Sequence, residues 1–526
     1  MKLKSFYYKY ETATLHFIHS GKKTKLRTFP SCTLKQDLQG QSVAVIGLGK
    51  SGRAAAKLAL ARGASVLAID QNQNLRPLEK DPLFERHSGV RTILGQFDEE
   101  LFKDAHVVVV SPGVPLENYG LSCLLQSGKR VMSELDFAAE VISRSIKILA
   151  VTGTNGKSTV VTFAGQMLNY LGIDTFVGGN LGKPLSEAAL QCFTLPSSKP
   201  KFQVAVVEVS SYQIEIPNKY FCPSVTVILN LTPDHLERHK TMRNYALTKC
   251  RLLSHMANTK LGLLPLGKAL SLAGKIGVVC VLTTEHIFPS GNQLLNEAIK
   301  GHEFNVAWIG AFPGVKVRNN YLTMFVKKLN ILEKIDMEAK TASFEVPEIG
   351  IQSQLQLSTM KAMGIHNYHN AAVAALSILG LDIGVDAEAL NSTIEILRAP
   401  PHRMQIVHKD ICGVTWIDDS KATNVEAAYV LNGDSNGFEQ LVEPLNNHRC
   451  VITFGSSGLM IHKTLVDNGL SIPCIGAANL KDAISHARKM AKHGDAIVLS
   501  PGCASFDEFK NFEQRGMVFQ ELAFPS

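Results

Sequence analysis

The sequence has no apolar run approaching the roughly 18 residues that a membrane-spanning helix needs, which excludes a helical membrane protein. Its ten cysteines are scattered, with no C-x-x-C pair. Neither zinc nor a disulfide framework is indicated, and a reducing compartment suits the pattern. Acidic residues are almost missing from the first 36 positions, where Glu11 stands beside eight Lys or Arg. That stretch carries +7 of the formal net charge of +8. The rest of the chain is therefore nearly neutral and lacks the basic face that nucleic acid would require. The basic, acid-poor extension over residues 1–40, rich in Lys, Ser and Thr, reads as a transit-like leader, with the plastid stroma as its expected destination.

At 526 residues the chain exceeds what one core can hold, and about three domains is the natural division. The stretch that organises it is Ile146 to Thr159, IKILAVTGTNGKST. An apolar, β-prone run ends in Gly153, Thr154, Asn155, Gly156, Lys157, Ser158 and Thr159, and helix-forming sequence follows. A strand, a glycine turn and a helix N-terminus make a phosphate site, because backbone N–H groups and the helix dipole face the anion. Lys157 would reach the terminal phosphates, and Ser158 or Thr159 would offer a hydroxyl to Mg²⁺. The match to G-x-x-x-x-G-K-[ST] is incomplete, since Val151 stands at the first glycine.

Upstream, the strand Ser42–Ile46 runs into Gly47-Leu48-Gly49-Lys50-Ser51-Gly52, a helical stretch and a second strand ending in Asp70. This is an opening βαβ unit with an approximate dinucleotide fingerprint, equally readable as a plain tight turn. Another strand ends at Ser111-Pro112-Gly113, and ligands gather beyond such strand ends. A nucleotide-like group without nicotinamide chemistry is expected there. Downstream, the β run after Phe202 carries one acid, Glu208. A carboxylate in an apolar strand is costly unless it is paired or bound to metal.

GTNGKST, EVSSYQ (Glu208–Gln213), NLTPDHLERH (Asn230–His239) and Tyr245-x-x-x-Lys249 together resemble the Mur ligase family. HNYHNAAVA (His366–Ala374), RAPPHR (Arg398–Arg403), WIDDSKATN (Trp416–Asn424) and SPGCASFDEFKNFEQRG (Ser500–Gly516) are similar to its D-glutamate-adding branch. The resemblance implies an α/β protein of three domains. A UDP-sugar-binding, Rossmann-like domain would span 41–144 and a central P-loop ATPase domain 145–397. A Rossmann-like amino-acid-binding domain would span 398–526. It further implies a monomer that uses ATP to join D-glutamate to UDP-N-acetylmuramoyl-L-alanine through an acyl phosphate, for peptidoglycan precursor synthesis.

By the same resemblance, Lys157, His235 and Lys249 would be catalytic. Gly153, Thr154, Asn155, Gly156, Lys157, Ser158, Thr159, Asn367, Asn370, Arg403 and Asp419 would hold ATP, with His366 in the adenine-side motif. Gly49, Lys50, Ser51, Asp70, Ser111, Gly113 and Asn180 would hold the UDP-sugar. Lys421, Thr423, Ser505 and Phe512 would surround D-glutamate, although the FDEFKNF run around Phe512 reads by itself as amphipathic helix core. Two Mg²⁺ ions would use Ser158, Glu208, His235 and Lys249, the lysine being carbamylated by CO₂. By composition alone Lys249 reads as a surface lysine.

Two stretches depart from the family pattern. Between Asn424 and Arg449 the sequence lacks the expected strand ending in G-G-x-x-K, so the third domain is expected to be incomplete. Residues 268–290 interrupt the central domain with an apolar run, Ile276–Leu282, expected to lie uncovered as an insert. The alternatives are a ligase-derived nucleotide-binding protein without turnover, or another ligase of the superfamily such as a folylpolyglutamate synthase.

Overall fold

The computed structural model describes residues 37–524, except 86, 96–99, 118, 195–200, 255–260, 264–277, 281–304, 307–333, 337–339, 347–350, 363–364, 424–436, 504 and 506. The basic segment 1–36, with the transit-like reading placed on it, lies outside the described residues. Among the described residues no helix is long and apolar enough to cross a membrane.

The chain is a mixed α/β structure dominated by parallel sheets. Runs rich in Val, Ile and Ala form β1 (Ser42–Ile46), β2 (Ser65–Asp70), β3 (Val90–Leu94), β4 (Val107–Val110) and β5 (Val131–Ser133). They pair in parallel in the order β3-β2-β1-β4-β5. The order reverses between β1 and β4, which leaves a crevice at their carboxyl ends. There Gly47, Gly49 and Gly52 stand at the full G-x-G-x-x-G spacing. A Cβ on Gly52 would fall 1.8 Å from the Gly47 carbonyl oxygen, so only glycine lets the helix Lys50–Ala61 seat this closely.

A second sheet contains β6 (Lys147–Thr152), β7 (Thr175–Gly179), β8 (Val204–Glu208), β9 (Val225–Ile228), β10 (Leu261–Leu263), β11 (Val278–Cys280) and β12 (Asn305–Val306). Its order is β12-β11-β10-β9-β6-β8-β7, with β6, the strand before the Gly153 turn, in its interior. Of the Ile276–Leu282 run only Val278–Cys280, as β11, lies within the described residues. Its backbone pairs with β10 on one side and β12 on the other, because a short β-branched run lowers its free energy most by joining a ladder. An antiparallel sheet of β13 (Lys334–Asp336), β14 (Thr341–Val346) and β15 (Ile351–Gln356) follows.

The helix Lys157–Tyr170 packs Val160, Phe163, Ala164 and Met167 against Leu149, Val206 and Val227 of the second sheet, and against Ala371, Ala375 and Ile378 of the helix Ile365–Leu379. At about 1.5–3 kcal/mol per buried large apolar side chain, this interface fixes where the Gly153 turn points.

A second apolar cluster runs without a break from Val43 and Ala55 of the first sheet region to Ala150, Leu185, Val207 and Phe221 of the second. Polar rivets reinforce it. Asp136 Oδ1 accepts the backbone N–H groups of Lys219, Tyr220 and Phe221 at 2.6–2.8 Å. Glu134 Oε1 accepts that of Ser186 at 2.6 Å. Glu134 is buried, its Oε2 lacks a partner among the described residues, and burial raises its carboxyl to about 7. A carboxyl raised in the fold contributes most when protonated, and that contribution is lost as pH climbs from its unfolded value towards 7. Glu134→Gln is therefore expected to match the parent below about pH 4.5 and to exceed it by about 3 kcal/mol above pH 7. Denaturant titrations across that range check this.

The described strands of the C-terminal region fall into two groups. The strands β16 (Gln405–Lys409), β17 (Thr415–Asp418) and β20 (Ala496–Leu499) form one sheet. The strands β18 (Val451–Thr453) and β19 (Cys474–Gly476) form a separate pair. Among the described residues β20 pairs with β17 alone, and its Val498 is 39% exposed. Leu459 and Met460 are also exposed. Among the described residues, which leave out 424–436, the other edge of β20 is open, and an open edge is where a further strand would pair. Grafting an apolar strand into the 424–449 interval is expected to raise soluble yield and delay aggregation on heating. Unchanged light-scattering onset would mean that the gap is tolerated.

From Asp507 to Asn511 the FDEFKNF stretch is not helical, which corrects its reading as an amphipathic helix. Helix begins only at Phe512, capped by the Asn511 side chain, which accepts the Gln514 N–H at 2.8 Å.

Candidate functional site

The β6 strand ends where Gly153 takes φ 145° and Gly156 φ 84°. A Cβ on Gly153 would meet Leu229 Cβ at 2.9 Å, and one on Gly156 would meet Asn370 Oδ1 at 3.0 Å. Both positions require glycine for conformation and for space. Asn230 shapes the turn from β9's end: its Oδ1 accepts the N–H groups of Thr154 (3.0 Å) and Asn155 (2.8 Å). The first intrahelical bond runs from Val160 N–H to Gly156 O. The N–H groups of Lys157, Ser158 and Thr159 therefore precede the helical ladder, at the positive end of the dipole. Lys157 Nζ curls back to donate to Gly153 O at 2.9 Å and Thr154 O at 2.7 Å.

Four cations from distant segments meet here. Burial pulls Lys157 below its ordinary range, against the attraction of Glu208 and Asp234, while Arg403 pushes the same way as burial. Burial also lowers Arg403, with Asp419 and Glu208 opposing it. Lys421 is pushed down to about 8 by burial, with Glu208 opposing and Arg403 and Lys157 adding repulsion. Lys249 is 1% exposed, and burial carries it well below a lysine's usual value, with Lys157 adding to the shift. Its Nζ donates to Gly153 O at 3.1 Å and sits 4.3 Å above the Tyr245 ring. The expectation from composition, that Lys249 is a surface lysine, is thus corrected. The helix Met242–Ser254 turns it inward onto the turn.

Glu208 is 2% exposed at the end of β8, and its Oε1 accepts Asn180 Nδ2–H at 3.2 Å. His235 follows β9 with φ 54°, its Nδ1 2.9 Å from Tyr212 Oη and its Nε2 3.4 Å from Asp234 Oδ2. Glu208, Asp234 and the buried Ser158 hydroxyl are hard oxygen donors of the type Mg²⁺ takes. Among the described residues no three of His, Cys, Asp or Glu are grouped to hold a metal by themselves. Any ion here would draw further oxygens from elsewhere, as Mg²⁺ does from substrate phosphates.

Residues 41–133 match the N-terminal domain of MurD-like Mur ligases, and residues 151–281 match the Mur ligase middle domain. The UDP-N-acetylmuramoylalanine–D-glutamate ligase of Acidobacterium capsulatum is 32% identical, with 92% of this chain and 96% of that protein covered. The ligases of that name from Pelotomaculum thermopropionicum (31%, covering 93% of this chain and 98% of the relative) and Chromobacterium violaceum (32%, covering 92% and 97%) are similarly related. The chain belongs to the Mur ligase family. These relatives do not favour a nucleotide-binding protein without turnover.

The ligase's other expected residues divide into those the fold gathers and those it leaves apart. Asp70 Oδ2 accepts Leu48 N–H at 2.6 Å, and Ser111 Oγ donates to Gly47 O at 2.7 Å. These bonds hold the Gly49-Lys50-Ser51 turn at the crevice of the first sheet. Gly113 has open space around its Cα. Asn180 lies with Glu208, its N–H donating to the Glu208 carbonyl at 2.8 Å. Asn367 is buried, and Asn370 abuts Gly156. Burial presses His366 down to about 4, with Arg403 and His369 adding to it.

Asp419 is raised to about 6 by burial, although it accepts from Ser500 Oγ at 2.9 Å. Lys421 Nζ lies 4.6 Å above the Phe512 ring, and Ser505 is buried. Thr423 is exposed, two residues beyond Lys421.

Three residues that sequence reasoning did not single out complete the arrangement. Asn230 holds the turn, and Asp234 faces both Lys157 and Lys249. Arg238 grips Glu215 and donates to Pro112 O (3.3 Å) and Val114 O (2.8 Å), tying the loop after Ser111 to the His235 segment. The NLTPDHLERH run was the available signal, but which of its polar residues turn inward depends on contacts 75 or more positions away.

Proposed function

We propose that the protein is an ATP-dependent acid–amino-acid ligase that adds D-glutamate to UDP-N-acetylmuramoyl-L-alanine in peptidoglycan precursor synthesis. The observation that carries this reading is the meeting of Lys157, Lys249, Arg403 and Lys421 in a buried space with Glu208 and Asp234. Cations held together out of water repel one another, and a polyanion such as a nucleoside triphosphate relieves that repulsion.

In this reading the turn from Gly153 to Thr159 and Lys157 hold the β- and γ-phosphates, with Asn367, Asn370 and His366 on the adenine side. The crevice formed by Gly49, Lys50, Ser51, Asp70, Ser111 and Gly113 holds the UDP-sugar, and Asn180 guides its lactyl–alanine arm towards Glu208. The alanine carboxylate oxygen attacks the γ-phosphorus, the bond to ADP breaks, and an acyl phosphate forms. The free amine of D-glutamate, placed by Lys421, Thr423, Ser505 and Phe512, then attacks the acyl carbon. Inorganic phosphate leaves, and the amine proton passes to solvent. A carboxylate is a poor electrophile until its oxygen becomes a phosphate leaving group, so the protein's work is alignment and charge neutralisation. Arg403, with Asp419, brings a cation from the C-terminal region onto the phosphates.

Two Mg²⁺ ions would be held in this reading, one by Ser158 and Glu208 and the other by His235 and the carbamylated Lys249. When bound they supply further positive charge at the transferring phosphoryl group. Burial and the neighbouring Lys157 both disfavour the Lys249 ammonium; its neutral amine would add to CO₂, the N–H proton passing to solvent, to leave a carbamate anion. The enzyme acts on small molecules as a monomer.

The test is phosphate release from ATP with each substrate withheld in turn. Release that needs both UDP-N-acetylmuramoyl-L-alanine and D-glutamate is expected. ATP binding without D-glutamate-dependent release would overturn the ligase reading.

A further inference from the structure

The surroundings of His235 fix which of its ring nitrogens carries the proton. Tyr212 Oη lies 2.9 Å from His235 Nδ1 and 3.0 Å from Glu237 Oε1. An ionised carboxylate only accepts, and a phenol has one proton to give. The Tyr212 proton is therefore directed to Glu237, and the Tyr212 oxygen must accept from His235 Nδ1–H. The opposite tautomer would leave Tyr212 facing two acceptors with one proton. It would also aim Nε2–H at Asp234 Oδ2 over 3.4 Å, longer than an ordinary hydrogen bond.

The Tyr212 ring is itself held. It lies 4.8 Å from the His235 ring and 5.8 Å from the His239 ring, and the Arg238 guanidinium sits 4.4 Å above it. Arg238 is in turn anchored by Glu215 and by the carbonyls of Pro112 and Val114. The hydroxyl thus stands on a braced platform, while Glu237 is largely exposed.

We propose that Tyr212 and Glu237 are positioning residues that lock His235 as the Nδ1–H tautomer, presenting the Nε2 lone pair beside Asp234 to a divalent cation. Nε2 and the Asp234 carboxylate are then two electron-pair donors side by side, an arrangement that a cation stabilises and that is repulsive without one. The inference rests on the ligase reading for the identity of the cation, but the tautomer itself does not depend on it.

The full-length protein labelled with ¹⁵N-histidine, free of nucleotide and at pH 8.5, reports the tautomer through long-range ¹H–¹⁵N correlations. The His235 signals are assigned by their loss in His235→Gln. The expected pattern is a protonated Nδ1 and a bare Nε2. Tyr212→Phe, which keeps the ring and its stacking, and Glu237→Ala, at an exposed position, are each expected to convert His235 partly or wholly to the Nε2–H form. In both variants the Mg²⁺ concentration for half-maximal turnover should rise about tenfold, the usual scale for losing a residue that orients a metal ligand.

Purely structural damage would lower kcat without moving either readout. An Nε2–H pattern in the parent, or an Nδ1–H pattern that survives both substitutions, overturns the lock. Failure of the ligase reading is seen separately, as phosphate release that ignores D-glutamate.

Discussion

Lys157→Ala is expected to lower turnover by at least about a thousandfold, about 4 kcal/mol of transition-state stabilisation, while UDP-sugar binding stays within about threefold. Lys157 Nζ bonds the carbonyls of Gly153 and Thr154, inside the turn whose N–H groups face the proposed phosphates. In the proposed reading this side chain meets the γ-phosphate, and Glu208 and Asp234 favour its charged form against the pull of burial. Alanine removes that cation and leaves fewer positive groups, Arg403 and Lys421 among them, for the proposed transferring phosphate. The crevice at Gly49 and Ser111 lies on another sheet, held by Asp70 and the Gly47 carbonyl, so it should not respond. Calorimetry with the UDP-sugar and steady-state phosphate release separate the two effects. Undiminished turnover would discard the phosphate-loop assignment.

The second large effect is expected at Lys249. An amine buried at 1% exposure beside Lys157 sheds its proton far more readily than a surface lysine, and only the neutral amine can attack CO₂. The product, a carbamate, turns a repelled cation into an anion that Lys157 attracts. Supplying ¹³CO₂ to the parent should give a carbamate carbon signal, and CO₂-free buffer should reduce turnover reversibly. Lys249→Arg keeps the length and the cation but cannot be carbamylated, since a guanidinium stays protonated. It should lose about a hundredfold in kcat, about 2.7 kcal/mol, together with the ¹³C signal. Arginine at full activity would mean that the position needs only a donor to Gly153 O and Thr152 Oγ1, which Lys249 supplies at 3.1 and 3.4 Å.

Much of this was readable from residue order. The Gly153–Thr159 turn announces itself because glycine, lysine and hydroxyl residues follow an apolar β run without a gap. Glu208 stands out because a carboxylate at the end of a wholly buried strand must be satisfied. Asp70 and Ser111 are legible as strand-end residues, and the structure uses both to hold the Gly47–Gly52 turn. The 424–449 interval, short of apolar residues, gave the expectation of an incomplete third domain, and its residues 424–436 lie outside the described residues. Other positions were opaque. Lys249 lies on a helix whose periodicity permits either face. The Ile276–Leu282 run offered no sign of its strand partners, since parallel pairing needs segments far apart in sequence. Asn230, Asp234, Arg238 and Tyr212 are polar residues in a polar stretch, and residue type says nothing about which of them points inward.

The sequence by itself therefore determined the parallel α/β layout, the glycine turns and the kind of chemistry that a buried lysine and carboxylate imply. These follow from local sterics and from the free energy of hiding apolar strands. The tertiary structure alone decided that Lys249 and Lys421 face Lys157, and that one tyrosine hydroxyl is shared between His235 and Glu237. Proton affinity and hydrogen-bond partnership depend on distances of a few ångströms between segments remote in the chain, and packing sets those distances.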